Sequence, residues 1–332
     1  MIRQSLKSAL FGCAALVTSI GLSAALQAAE LKVWRHGIVE AKSDSGFVFM
    51  AAKKGFGEKH GINIDIVQFK GDALALKALI SGELDSYEGS PGAPMIASSR
   101  GADVKTVGCY WPGLTYAIFV GKDVQKPEDL KGKAFGISSP GALPDLFAKT
   151  VLEKYGIANS DVQFAAMGSD ADRFRAVSAG IVQAAAASTE FTPMLEKQGI
   201  RMLLHAHDVA PNYVRFCTQM TGKTIADRNA EAVQFLAAEM EGFAYALSHR
   251  DEEIALAKSI ISAKPEDERQ AYVFDEVVKY SAIDPLMPVP REKLEWMRQL
   301  LVKTGNLTVP VDLDKLIDGS VREKALAIKT GG

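Results

Sequence analysis

Short apolar runs with a two-residue beat alternate with longer stretches of helical spacing along most of the chain, and this alternation predicts α/β layers with largely parallel strands. Leu31 to Trp34 reads as a first strand. Gly46 to His60 carries Phe47, Met50, Ala51 and Lys54 at helical spacing, with Gly61 to end the helix. Ile62, Ile64 and Ile66 alternate and mark a strand from Ile62 to Phe69. A helix from Ala73 to Ser81, a strand from Leu84 to Glu88, a helix from Ala93 to Ser99 and a strand from Val104 to Tyr110 complete a βαβαβαβ unit.

A second unit opens with a β-branched and aromatic strand, Thr115 to Val120, and the polar connector Lys122 to Gly132. Strands follow at Lys133 to Ile137, Val162 to Ala166 and Gln183 to Ala187, with helices at Leu143 to Tyr155 and Asp170 to Ala179 between them. Ile200 to His205 and Tyr213 to Met220 are further strands. From Ile225 the pattern is helical: through Leu247, then Glu252 to Ser262, Glu266 to Tyr280, Arg291 to Thr304 and Asp314 to Ile328. Two α/β units in series and a helical C-terminal tail predict two lobes joined by crossing strands, with lobe 1 at residues 30–114 and 219–332 and lobe 2 at 115–218. Ligands of open α/β sheets bind outside the carboxyl ends of the strands, so the strand-end residues of both lobes become the site candidates.

The first residues change the picture of where the protein works. Arg3 and Lys7 precede an apolar stretch from Ala9 to Leu26 and small residues at Ala28 and Ala29, the order of a secretory signal peptide over residues 1–29, removed on export. Cys13 falls inside that leader, leaving Cys109 and Cys217 for the exported chain. With 38 Lys plus Arg against 40 Asp plus Glu, the charge is nearly balanced, which argues against nucleic acid as a partner. No G-x-S-x-G elbow, Walker loop, H-E-x-x-H or C-x-x-C is present, and His36, His60, His205 and His207 form no recognisable metal set. No cofactor, metal or enzymatic activity is therefore expected.

Three motifs recur in order. Ala51-Ala52-Lys53-Lys54-Gly55-Phe56 is followed by His60-Gly61-Ile62; Leu79-Ile80-Ser81-Gly82-Glu83-Leu84-Asp85 comes next; Glu128-Asp129-Leu130-Lys131-Gly132-Lys133 introduces the second unit. Together they resemble the nitrate, sulfonate and thiamine-precursor (NMT1/THI5-like) class of ABC-importer substrate-binding proteins. The chain departs from that pattern at Gly180-Ile181-Val182-Gln183-Ala184, where the class has Asp-Ala, so the resemblance implies the fold rather than the ligand. It implies a type II periplasmic binding protein fold and a monomeric periplasmic receptor that hands a small-molecule ligand to a membrane permease with its ATPase. In that fold the strand Tyr213 to Met220 returns beside the strand carrying Cys109. A disulfide is then conceivable, but two buried free thiols are the reading adopted here.

The cleft candidates follow from residue chemistry. Ser138, Ser139, Pro140 and Gly141 join a strand to a helix, where hydroxyls and free amides could hold an anion or simply cap the helix. Ser90, Pro91 and Gly92 repeat that chemistry in the first lobe, beside Glu88. Arg35, placed at the end of the first strand, could fork onto an oxyanion. His36 and Trp111 fit either a ligand wall or the core. Glu190, after the strand at Gln183 to Ala187, could select an amine or hydroxyl, or stand solvated in its loop. Asp44 reads first as a helix cap. The set suits a small organic anion or zwitterion, such as a sulfonate or carboxylate. A periplasmic sensor domain and a pyrimidine-precursor-type enzyme on the same fold are the alternatives.

Overall fold

The computed structural model describes residues 31–330; the expected leader, with Cys13, lies outside the described residues. Ten strands run in chain order as β1 (Lys32–Val39), β2 (Ile62–Phe69), β3 (Ser86–Gly89), β4 (Val104–Trp111), β5 (Tyr116–Val120), β6 (Ala134–Ile137), β7 (Gln163–Ala166), β8 (Ala184–Ser188), β9 (Arg201–His205) and β10 (Phe216–Thr221). They form two five-stranded sheets, ordered β2-β1-β3-β10-β4 and β7-β6-β8-β5-β9. Each sheet is mixed rather than largely parallel, because β10 runs antiparallel between β3 and β4, and β5 antiparallel between β8 and β9. Those antiparallel strands are the ones that begin just after the chain has crossed between sheets, so each enters its sheet from the cleft end.

Both faces of each sheet are covered by helices, which is why the strand segments read as apolar runs. In the second sheet the two-residue alternation is plain. Ile118, Val120, Ala184 and Ala186 face one core with Phe135 and Phe147, while Ala117, Phe119, Ala185 and Ala187 face another with Phe174 and Phe191. In the first sheet Trp34 joins Phe47, Phe235 and Phe274 on one side, and Leu79, Leu84 and Tyr87 fill the other. Among the described residues no helix is long and apolar enough to cross a membrane.

Among the departures from the sequence reading, three matter most here. The helix expected over Gly46 to His60 breaks into Ser45–Lys53 and Phe56–Lys59, because Gly55 adopts φ +79°, a left-handed turn that no helix continues through. The last helix is likewise split into Leu313–Leu316 and Ser320–Thr330: Ile317 bridges to Thr106 of β4, and the Asp318 amide donates to the Thr106 carbonyl at 3.0 Å. The third departure moves the site. β1 does not stop at Trp34 but pairs in register with β2 from Lys32 opposite Ile62 to Val39 opposite Phe69. The carboxyl end of β1, and with it the mouth of the cleft, therefore lies at Val39 to Ser45.

Cys109 and Cys217 are bonded to each other, not free. A register shift between Phe216 and Thr218 sets Cys217 beside Cys109 on the neighbouring strand, and both sulfurs are fully buried. The bridge ties together the outgoing and returning strands that bracket the second sheet, closing a loop of sequence separation 108. Replacing both cysteines by alanine is expected to lower unfolding stability by about 2–5 kcal/mol, read by denaturant titration. Alkylation of the unreduced, unfolded protein is expected to label neither thiol, and two labels on every molecule would show the bond to be absent.

Candidate functional site

The carboxyl ends of β1, β3 and β4 from the first sheet meet those of β7 and β8 from the second, and the cleft between them is dense with charge. The loop after β1 reaches across: the Lys42 ammonium lies 2.6 Å from Asp170, which follows β7, and the Ser43 amide donates to Glu190, after β8, at 3.2 Å. Asp170 is held on its own side by Arg173 and by the Tyr116 hydroxyl at 2.7 Å. Arg215, leading into β10, bonds Asp44 of the β1 loop and the Thr115 hydroxyl of the crossing segment, the latter at 2.7 Å. Its guanidinium is 4.2 Å from the Trp111 ring centroid and 4.6 Å from that of Phe216, within the range of cation–π attraction.

A small cavity of about 20 Å³, room for roughly one water molecule, lies on the first-sheet side, lined among others by Lys42, Asp44, Glu88, Tyr110, Trp111 and Phe216. Glu88 is buried beneath it and accepts the Tyr110 hydroxyl. Burial, with Asp44 and Asp72 adding repulsion against the relief from Tyr110 and Arg215, pushes its carboxyl up to about 8. Glu190 is also raised, by burial first and then by Asp44 and Asp170, with Lys42 and the Ser43 side chain pulling the other way. Asp170 moves in the opposite direction. Burial opposes its charge, but Lys42 and Arg173 outweigh that and hold it below the carboxylate range.

The structure gathers some of the expected site residues and sends others elsewhere. Glu190, Trp111 and Ser90 stand at strand ends in the cleft, with the Ser90 hydroxyl turned to Tyr213. Arg35 and His36 do not reach it. Because β1 continues to Val39, both are mid-strand: Arg35 forks onto Asp85 (3.2 Å for both Nε and Nη2) near the amino ends of the strands, and His36 packs in the core against Phe235 with Nδ1 2.7 Å from the Ser86 hydroxyl. Burial lowers the His36 imidazole to about 3, so it stays neutral.

In the second-lobe loop expected to hold an anion, the protein itself takes up part of the donor set. The Gly141 amide at the start of the helix Leu143–Lys154 is taken by that helix's own Asp145 at 2.7 Å, and Ser139 supplies a carbonyl to the Ala142 amide while Ser138 makes no cap. Gly141 is held at φ +78° with Asn306 packed against it. In the first lobe Pro91 precedes the helix Gly92–Ser99, which has no side-chain cap, and Gly92 packs against Leu146 and Leu301. At the start of the helix Ser45–Lys53, Gly46 is required because a Cβ there would stand 2.4 Å from the Glu253 carboxylate. One of these helix ends thus has an amide taken by a carboxylate of the protein itself, and at another the Glu253 side chain fills the space.

Lys42, Arg215, Asp170 and Tyr116 were missed. Lys42 was hidden by the early end assigned to β1. Asp170 reads as a helix start, and only the facing loop gives it a second role. Arg215 had a usable signal: a lone cation within the apolar run Tyr213-Val214-Arg215-Phe216-Cys217 must find a buried partner.

The profile of the family described as NMT1/THI5 like matches residues 42–253. The periplasmic aliphatic sulphonate binding protein SsuA of Escherichia coli superposes with a TM-score of 0.71 at 22% identity, covering 86% of this chain and 92% of that one. The alkanesulfonate-binding SsuA of Xanthomonas axonopodis pv. citri, bound to MOPS, gives 0.72 at 19%, covering 88% and 99%. The desulfurization enzyme DSZB gives 0.65 at 16%, covering 90% and 99%. These likenesses establish the type II periplasmic binding fold. A Brucella abortus (strain 2308) protein named for a binding role is 28% identical over 129 residues, 39% of this chain, and the match spans 40% of that relative's length.

Two outcomes follow from the charges. Between about pH 4.5 and 8 the unfolded chain has released the Glu88 proton that the native state keeps, so Glu88 costs stability as pH rises, at up to about 1.4 kcal/mol per pH unit. Glu88→Gln is expected to melt progressively higher than wild type as pH goes from 5 to 8; a difference independent of pH would contradict this. Asp170→Asn leaves Lys42 and Arg173 without their carboxylate and is expected to cost about 3–5 kcal/mol, measured by denaturant titration.

Proposed function

The chain belongs to the NMT1/THI5-like family, and from that premise we propose that it is the periplasmic solute receptor of an ABC importer, binding a small organic anion or zwitterion between two lobes and passing it to a membrane permease driven by an ATPase. The observation that carries this reading is the contact across the cleft: the one loop at Lys42 to Ser45 bonds strand-end residues of the second sheet, Asp170 and Glu190. A solute seated there touches both sheets together only when they close, so differential affinity selects the closed form. In this reading residues 115–218 are the inserted lobe, the leader directs export, and the receptor acts as a monomer with no catalysis.

DSZB shows that the fold can carry an enzyme. Among the described residues of this chain both cysteines are consumed in the disulfide, so no free thiol is offered as a nucleophile.

The test is a thermal-shift screen of the purified protein against nitrate, alkyl and aryl sulfonates, carboxylates, zwitterions and pyrimidines. A solute present at a hundred times its Kd is expected to add about 2.7 kcal/mol and raise Tm by several degrees. No shift with any member would overturn the receptor reading.

A further inference from the structure

The cations at the heart of the cleft already have their carboxylates: Lys42 and Arg173 share Asp170, and Arg215 takes Asp44. Several buried carboxyls have no such bond: Asp72, held by the Tyr87 hydroxyl, and Glu253 stand to the side, and one from each lobe faces the other across the cleft. Glu88 of the first lobe meets the neutral Tyr110 hydroxyl, and Glu190 of the second the Ser43 amide and side chain, also neutral. Both are within 5 % of full burial, and Asp44 repels both. Arg269 also faces Glu190, but its fork is engaged by Asp267 at 2.6 Å. Buried carboxyls are stable as ions only with a cation beside them, so the closed cleft is short of positive charge.

An independent observation points to the other end of a ligand. Trp111, 2% exposed, lines the cavity, and its indole N–H makes no hydrogen bond; the Arg215 Nε–H stacked on it is likewise buried and unpartnered. Buried donors left so destabilise the site unless an acceptor arrives. The same rings accept a cation on their faces, as the Arg215 guanidinium shows at 4.2 Å.

We infer that the solute is a zwitterion that enters as the lobes part, since the cavity as it stands holds about one water: its protonated nitrogen is met by Glu88 and Glu190, one from each lobe, and its oxyanion takes the Trp111 and Arg215 donors. This rests on the receptor reading above and narrows it, since a simple anion would satisfy the donors but leave both carboxyls without a counter-charge.

The experiment uses matched solutes in which an amino compound is paired with its hydroxy counterpart: taurine with isethionate, 4-(aminomethyl)benzoate with 4-(hydroxymethyl)benzoate, and the common amino acids and betaines with their hydroxy acids. Thermal shift locates hits and calorimetry gives Kd for wild type, Glu88→Gln and Glu190→Gln. The expected result is binding by an amino or betaine member at least tenfold tighter than by its counterpart, with that margin lost in either variant. Equal or tighter binding of the hydroxy member, or hits confined to nitrate and simple sulfonates or carboxylates, overturns the zwitterion and leaves the receptor standing. Amino selectivity that survives unchanged in both variants also overturns it, and no hit in any set takes down both readings.

Discussion

A charge buried between two sheets must find its partner on the facing sheet, and in this protein that requirement falls on Lys42. Its ammonium is carried by the loop after β1 and answered by Asp170 after β7, so the pair exists only while the two sheets are together. Neither partner is dispensable alone. Asp170 is further tied to Arg173 and Tyr116 within its own sheet, which keeps the carboxylate fixed whether or not Lys42 has arrived. One side of the clamp is thus preorganised and the other is a loop.

The remaining cleft chemistry is arranged around that clamp. Asp44, two residues beyond Lys42, binds Arg215, and Arg215 in turn lies on Trp111 and Phe216 at the point where the returning strand enters the first sheet. The helix end at Gly141, which would ordinarily draw an anion, is answered by Asp145, and the one at Gly46 is filled by the Glu253 side chain. What the proposed receptor would have left for recognition is side chains: carboxyls short of a cation, and aromatic walls with donors that lack an acceptor.

Much of the architecture was legible in the chain, because periodicity reports burial and burial follows the layers. The alternation of Ile62, Ile64 and Ile66 gave β2 its bounds, and the buried run Ala184 to Ala187 marked β8. What failed was local. Trp34, Arg35 and His36 look like the polar end of a strand, yet a parallel neighbour on each side carries β1 on to Val39, and that shift alone exchanged Arg35 and His36 for Lys42 and Asp44 as the cleft residues. Periodicity cannot show which strands will be flanked. Trp111 and Glu190 were legible because their strands end where the pattern ends. The disulfide was not, since a register shift of β10 against β4 decides it and no spacing encodes that shift.

The bond between Cys109 and Cys217 makes a covalent ring of the chain that contains the whole second sheet. A backbone cut anywhere in that ring opens it without dividing the molecule, so a protease that nicks an exposed turn there leaves one particle with both sheets still attached. The half of the cleft that presents Asp170 and Glu190 therefore outlives its own peptide continuity for as long as the two sulfurs stay oxidised.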